Sequence, residues 1–151
     1  MYESVDVVGS ALCKEIIDIA SKEIKDKNAF FIAVPGGSVL KLLAGLRVYK
    51  SSVDWSKVFL FYVNHKCVPN NDPTSTHLKA KNLFLDFLNM ESNAFPIVSE
   101  SFSTEISGHS SIAHSYQGVI LKHLPIVDGI PSFDYMLLGM GYRKKYTIIP
   151  Q

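Results

Sequence analysis

Between Ala11 and Ile24 the apolar residues Leu12, Ile16, Ile19, Ala20 and Ile24 recur at helical steps, with Lys14, Glu15, Asp18 and Lys22 between them. That spacing predicts an amphipathic helix. Phe30 to Val34 is instead an unbroken apolar run of aromatic and β-branched residues, bounded by Asn28 and by Pro35-Gly36-Gly37, and predicts a buried strand. A second helix is expected from Ser38 as its N-cap, with an apolar face of Val39, Leu40, Leu42, Leu43 and Leu46. Val58 to Val63 repeats the buried-strand pattern after a polar link carrying Asp54 and Trp55.

A polar loop from Asn64 to Pro73 then leads to a predicted helix over Ser75 to Leu88, and a further helix is expected over Ile112 to Leu124. The last strand is read at Asp134 to Leu138, opened by the turn-like Asp128-Gly129-Ile130-Pro131 and closed by Gly139-Met140-Gly141. Asn89 to Gly108 is rich in Ser, Glu, Thr and Asn and reads as an irregular connection with room for one brief strand. Helices alternating with doubly buried strands predict an α/β fold with an open, mainly parallel sheet and flanking helices. No repeat, low-complexity tract or convincing linker divides the chain.

The chain has 151 residues, 47% of them hydrophobic and 19% charged, enough for one globular domain with a substantial core. A formal charge of +1 provides no global field to steer the protein toward nucleic acid or an anionic membrane, so an anion site has to be local. The Arg143-Lys144-Lys145-Tyr146 cluster reads as a solvated tail. Cys13 and Cys67 form no CxxC pair and suggest neither zinc nor a disulfide framework. The first residues lack the basic start of a signal peptide, and no apolar run approaches the length of about 20 residues that a membrane span needs. A cytoplasmic protein without metal or cofactor, and without a nucleic-acid or membrane partner, is the expectation.

Two places carry candidate chemistry. In the first, a strand runs through Gly36-Gly37-Ser38 into a helix. Glycines let the backbone approach a ligand, amides at a helix start face an anion, and Ser38 offers a hydroxyl. A Gly-Gly-Ser turn is also a common structural device, and the residues alone leave both readings open. The motif is neither a Walker loop nor a complete GxGxxG. In the second, Asn64, His65 and Lys66 follow a strand at the carboxyl edge, where open α/β sheets place ligands. Lys66 suits a phosphate or carboxylate, though such a triplet also serves merely to return the chain to solvent. His65 with His77 lacks a completing metal ligand, and His109, His114 and His123 read as solvated or packed. No Gly-x-Ser-x-Gly elbow is present.

Taken in order, three segments resemble the glucosamine-6-phosphate isomerase and 6-phosphogluconolactonase superfamily, and most closely its lactonase branch. FFIAVPGGSVLKLLAGL is similar to the family's strand, phosphate loop and helix, with Val39 for the frequent Thr. WSKVFLFYVNHKCVPNNDPTSTHLKAKNLFL resembles the segment with Trp55, Val58, Val68, Pro69, Asp72 and Ser75 in place. Its Asp-Glu-Arg triplet reads Asn64-His65-Lys66, and Thr76 stands for Asn. FDYMLLGMG at Phe133 to Gly141 matches the family's Phe-Asp strand and Leu-Gly-Met-Gly turn.

The resemblance implies a Rossmann-like fold, incomplete relative to the family, with a partial domain over residues 1–141 and an unmatched tail over 142–151. It implies hydrolysis of 6-phosphoglucono-1,5-lactone to 6-phosphogluconate in the pentose phosphate pathway, with Gly36, Gly37, Ser38 and Lys66 as the sugar-phosphate site. The family's Pro-Asp-Gly-His, whose His is implied to activate water, is replaced by Tyr142-Arg143-Lys144-Lys145, so no catalytic residue is assigned and impaired catalysis is expected. The alternative is a non-catalytic sugar-phosphate binder or assembly partner, with an uncovered sheet edge as the route to an oligomer. A truncated isoform with a read-through tail is expected on the same ground; an ordinary in-frame exon encoding residues 142–151 would refute it.

Overall fold

The computed structural model describes residues 4–97 and 106–139. The first helix, α1, runs Val5–Lys27, longer at both ends than the Ala11 to Ile24 expected. Ser4 accounts for the early start, since its hydroxyl accepts the Val7 N–H as N-cap. Asn28 ends the helix in the left-handed conformation and returns its own N–H to the Ile24 carbonyl at 2.9 Å.

Strand β1 is Phe30–Val34, as the apolar run predicts. Helix α2 covers Gly37–Leu42 and continues as a 3-10 segment over Leu43–Tyr49. The expected cap at Ser38 is corrected here. Gly36 takes the cap position in an extended conformation, and Ser38 sits inside the first turn. Strand β2, Val58–Tyr62, pairs in parallel with β1 over its whole length.

The predicted helix over Ser75 to Leu88 is three consecutive pieces. Ser75 caps α3, Thr76–Ala80, a π turn follows over Lys81–Leu85, and α4 is Asp86–Leu88. Within the irregular connection, Ala94–Phe95 forms β3, parallel to β2. Helix α5 is Ile106–His123, beginning earlier than the Ile112 expected. The turn read at Asp128-Gly129 is flanked by β4, Ile126–Val127, and β5, Ile130–Pro131, an antiparallel hairpin apart from the main sheet. Of the strand expected at Asp134 to Leu138, Tyr135–Met136 forms β6, and the flanking Asp134 and Leu137 amides extend its bonding to β1.

The main sheet has the order β3-β2-β1-β6 with every pairing parallel. It is an open α/β sheet with flanking helices. Alternation along the central strands explains their continuous apolar sequence, because each successive side chain enters a different core. Phe30, Ile32, Val34, Val58, Leu60 and Tyr62 face α1 and the 75–88 helix, packing with Cys13, Ile16, Leu40 and Phe84. Ala33 and Phe61, with Phe31, Phe59 and Phe95, form the second core with Leu124 and Val119 of the α5 end.

Two polar clips hold this arrangement. The Tyr116 hydroxyl on α5 accepts the Tyr62 N–H at 2.8 Å and lies 3.1 Å from the Phe95 carbonyl, joining α5 to β2 and β3. The Asp134 carboxylate accepts the Phe31 N–H at 2.8 Å and pairs with Lys27, while its own N–H donates to the Phe31 carbonyl at 2.9 Å. The chain therefore reaches β6 already docked on β1 and α1. No described helix is long and apolar enough to cross a membrane. The tail at 142–151, its basic cluster, and the side chain of His109 lie outside the described residues.

Candidate functional site

The site grows from the parallel pairing of β1 and β2. Their ladder extends one residue beyond the strands, with the Val63 N–H donating to the Val34 carbonyl at 2.9 Å, so the two following loops leave side by side. The Gly36 N–H donates to the Asn64 side-chain oxygen at 2.7 Å and closes that gap. A Cβ on Gly36 would lie at contact distance, 3.4 Å, from the Thr76 hydroxyl and methyl, so the Gly36 loop lies against the start of α3. Gly37 has φ +75°, a conformation few L side chains adopt, and nothing crowds its open face within 4 Å.

The start of α3 is positioned by local chemistry in the preceding loop. The Asp72 carboxylate accepts the Thr74 N–H and hydroxyl, each at 2.7 Å, and the Ser75 N–H donates to the Asp72 carbonyl at 2.8 Å. The hydroxyl of Ser75 then accepts the Leu78 N–H at 3.3 Å. Asp72 and Ser75 thus build a turn and a cap. Both lie outside the cleft itself, and their product is the placement of Thr76 opposite Gly36. Bonds to Thr74, reinforced by Lys66 and Lys79, hold the Asp72 carboxyl below its ordinary range.

The resulting cleft is about 300 Å³ and brings together Gly36, Gly37, Asn64, Lys66, Thr76 and Lys79. Three of the four residues singled out in the sequence, Gly36, Gly37 and Lys66, therefore share one wall. Ser38 is exposed on α2 and is not among the residues lining this cleft. Asn64 and His65, which also line the cleft, belong to the triplet that the sequence places at this edge, whereas Thr76 and Lys79 are additions that the sequence pattern did not single out. Thr76 and Lys79 could have been found from their three-residue spacing, which puts them on one helix face. On the far side, Gly139 follows β6 and comes within 3.7 Å of Val39 and 3.9 Å of Pro35, measured from where its Cβ would be. The strand order reverses between β6 and β1, so this corner is a topological switch point, the usual ligand position in open α/β sheets.

His65 lines the cleft, and next to it stand the Tyr62 phenol and the His77 imidazole. The Nδ1–H of His65 donates to the Lys66 carbonyl at 2.8 Å, which leaves Nε2 as the acceptor nitrogen, buried and without a protein partner among the described residues. Its ring stands edge-on to Tyr62 at 5.1 Å. The Tyr62 hydroxyl and His77 Nδ1 share a buried hydrogen bond of 2.8 Å. Burial lowers the His65 pKa against the opposing bond to Lys66, and burial followed by the proximity of His65 lowers that of His77. Burial likewise drives the Tyr62 phenol well above its ordinary range. All three groups are therefore neutral at neutral pH.

His114 is exposed, and His123 packs on Phe95 at 4.3 Å with its Nδ1–H on the Val119 carbonyl at 2.9 Å. Among the described residues, no group of three or more His, Cys, Asp or Glu is arranged to hold a metal ion. The cleft's positive groups and open backbone suit an anion of phosphate size.

Known proteins match over most of this chain. The model of the family described as glucosamine-6-phosphate isomerases/6-phosphogluconolactonase matches residues 3–142. The protein called 6-phosphogluconolactonase 3, chloroplastic, from Arabidopsis thaliana is 33% identical over 140 residues, covering 86% of this chain and 41% of the relative. The 6-phosphogluconolactonase of Mycobacterium tuberculosis is 25% identical, covering 93% of this chain and 58% of the relative. The solved 6-phosphogluconolactonase of Trypanosoma brucei has the same fold, with a TM-score of 0.77 at 20% identity over 93% of this chain and 58% of its own. The chain thus spans about half the length of the curated relatives it matches.

Proposed function

Because the chain belongs to the glucosamine-6-phosphate isomerases/6-phosphogluconolactonase family, we propose that its cleft binds the phosphate of a sugar phosphate and that its hydrolysis of 6-phosphoglucono-1,5-lactone is impaired. The observation that carries this reading is the pairing of an open Gly37 backbone and the Lys66 ammonium in one cleft whose imidazole is turned inward. Binding chemistry is supplied by amides that face the ligand without a competing side chain and by a point charge beside them. Residues 1–141 act as one unit in this reading.

Lactone hydrolysis needs a base that takes a proton from water as it attacks the carbonyl. His65 is the titratable imidazole lining the cleft, yet its Nδ1 is engaged by Lys66 and its Nε2 is buried. Asn64 has no proton affinity to offer. After Gly141 the sequence reads Tyr142-Arg143-Lys144-Lys145, with no imidazole or carboxylate in those positions. Loss of a positioned base costs about 100- to 10,000-fold in rate, so turnover close to the spontaneous rate is expected.

The test is 6-phosphogluconate formation by the purified, folded chain, corrected for spontaneous hydrolysis, beside titration with a sugar phosphate. Binding with little or no turnover, weakened by Lys66→Ala, supports the proposal. Turnover at an ordinary enzymatic rate overturns the impairment, and ammonia release from glucosamine 6-phosphate overturns the substrate assignment. Ser38→Ala is expected to weaken binding as well, since Ser38 stands exposed in the first turn of α2 directly after Gly37.

A further inference from the structure

Lys66 and Lys79 come from different elements, the loop after β2 and helix α3, and line the same cleft as Gly36 and Gly37. Lys79 follows Thr76 by three residues on one helix face, and Thr76 is the residue against which Gly36 packs. Both lysines are exposed, and among the described residues neither forms an ion pair. The nearby acid, Asp72, has one carboxylate oxygen engaged by the Thr74 amide and hydroxyl. Lys66 and Lys79 are lesser causes, after Thr74, of the lowered Asp72 pKa, and neither pairs with it; the cleft that both line is what brings the two side chains together.

A phosphate monoester carries about −1.5 to −2 charges at pH 7. One ammonium neutralises about half of that and, unlike a guanidinium, cannot grip two oxygens in a planar fork. We propose that Lys79 is the second cation of the phosphate site, so that the Lys66–Lys79 pair selects phosphorylated over neutral sugars. The inference rests on the sugar-phosphate reading above and adds to it the residue that balances the ligand's second charge.

Calorimetric titration of the full chain at low ionic strength, with inorganic phosphate and glucose 6-phosphate as probes and glucose as neutral control, tests this directly. Lys79→Ala is expected to weaken both phosphate probes by about fivefold, the upper range for an exposed ion pair, and to flatten the dependence of affinity on salt. Lys79→Arg restores most of the affinity, whereas Lys122→Ala, an exposed lysine on α5, leaves it unchanged. Wild-type affinity in Lys79→Ala alongside weakened Lys66→Ala overturns the role of Lys79 and leaves the sugar-phosphate site standing. Failure of the wild-type chain to bind either phosphate probe overturns both.

Discussion

The side-chain oxygen of Asn64 accepts the Gly36 N–H at 2.7 Å, tying the loop after β2 to the loop after β1. That bond requires an acceptor and no charge. A carboxylate at position 64 could make the same bond while placing a negative charge beside Lys66 and Lys79. Asn64→Asp is therefore expected to fold normally and bind phosphate more weakly by a few-fold, about 1 kcal/mol or less. Asn64→Leu is expected to weaken it by freeing the loop. Tighter phosphate binding by Asn64→Asp would show that charge in this cleft works in the opposite sense.

Gly37 lies at φ +75° with nothing within 4 Å of a built Cβ, so a substitution there meets conformational cost without steric collision. Gly37→Ala should lower stability by about 1 kcal/mol and weaken phosphate binding as the loop relaxes. Urea unfolding and phosphate titration on the same sample would reveal both. An unchanged titration would mean that the loop's amides do not contact the ligand.

The carboxylate of Asp134, with 12% of its side chain accessible, satisfies the Phe31 N–H and pairs with Lys27. Asp134→Ala leaves a strand amide without its partner and is expected to cost about 1–3 kcal/mol. Asp134→Asn, which keeps an acceptor, should recover part of that loss. Chemical denaturation of both variants checks the order; equal losses would assign the effect to the Lys27 pairing instead.

His77 is held below its ordinary pKa by burial and by the nearby His65, and His65 is lowered by burial as well. The unfolded chain, with imidazoles near 6.5, therefore binds protons that the native state rejects. Stability is full above about pH 6.5 and declines as the pH falls below it toward the native pKa values. Urea midpoints at pH 7 and pH 5 should show this decline, and His77→Gln should make it shallower. An identical decline in His77→Gln would place the titration elsewhere, for example on His65 alone.

Tyr116 serves one strand amide and one carbonyl with a single hydroxyl. Burial raises its pKa to about 12, so it remains a phenol across the physiological range. Tyr116→Phe keeps the ring and strands the Tyr62 N–H, for an expected loss of about 1–3 kcal/mol. Thermal unfolding compared with Tyr49→Phe, a half-buried tyrosine outside this clip, isolates the hydroxyl's contribution.

The central strands were legible because both of their faces are buried, which writes an unbroken apolar run into the sequence. β3 and the β4–β5 hairpin contain two residues per strand, too few to establish any period. Helix α1 begins before its apolar spacing does because its first turn depends on the Ser4 cap. At the site, Gly36, Gly37 and Lys66 stood out by residue type and place. Thr76 and Lys79 did not, because their roles arise only when the Asp72 turn brings α3 against the Gly36 loop. Residue type alone favours Ser38 as the N-cap, but the cap is defined by backbone conformation, and Gly36 is the residue that adopts it.

The sheet is joined unequally: five residue pairs link β1 to β2, and two link β1 to β6. Cooperative opening should follow that inequality, with β6 detaching in a smaller, more frequent fluctuation than any that separates the central pair. In deuterium exchange the Leu137 amide, bonded to the Ala33 carbonyl, would accordingly label well before the amides between β1 and β2. Gly139 rests on Pro35 and Val39 at the end of that same strand, so each such excursion also lifts the wall behind the Gly36 loop. Occupancy of the cleft would then register as slower labelling at Leu137, a residue that does not line it.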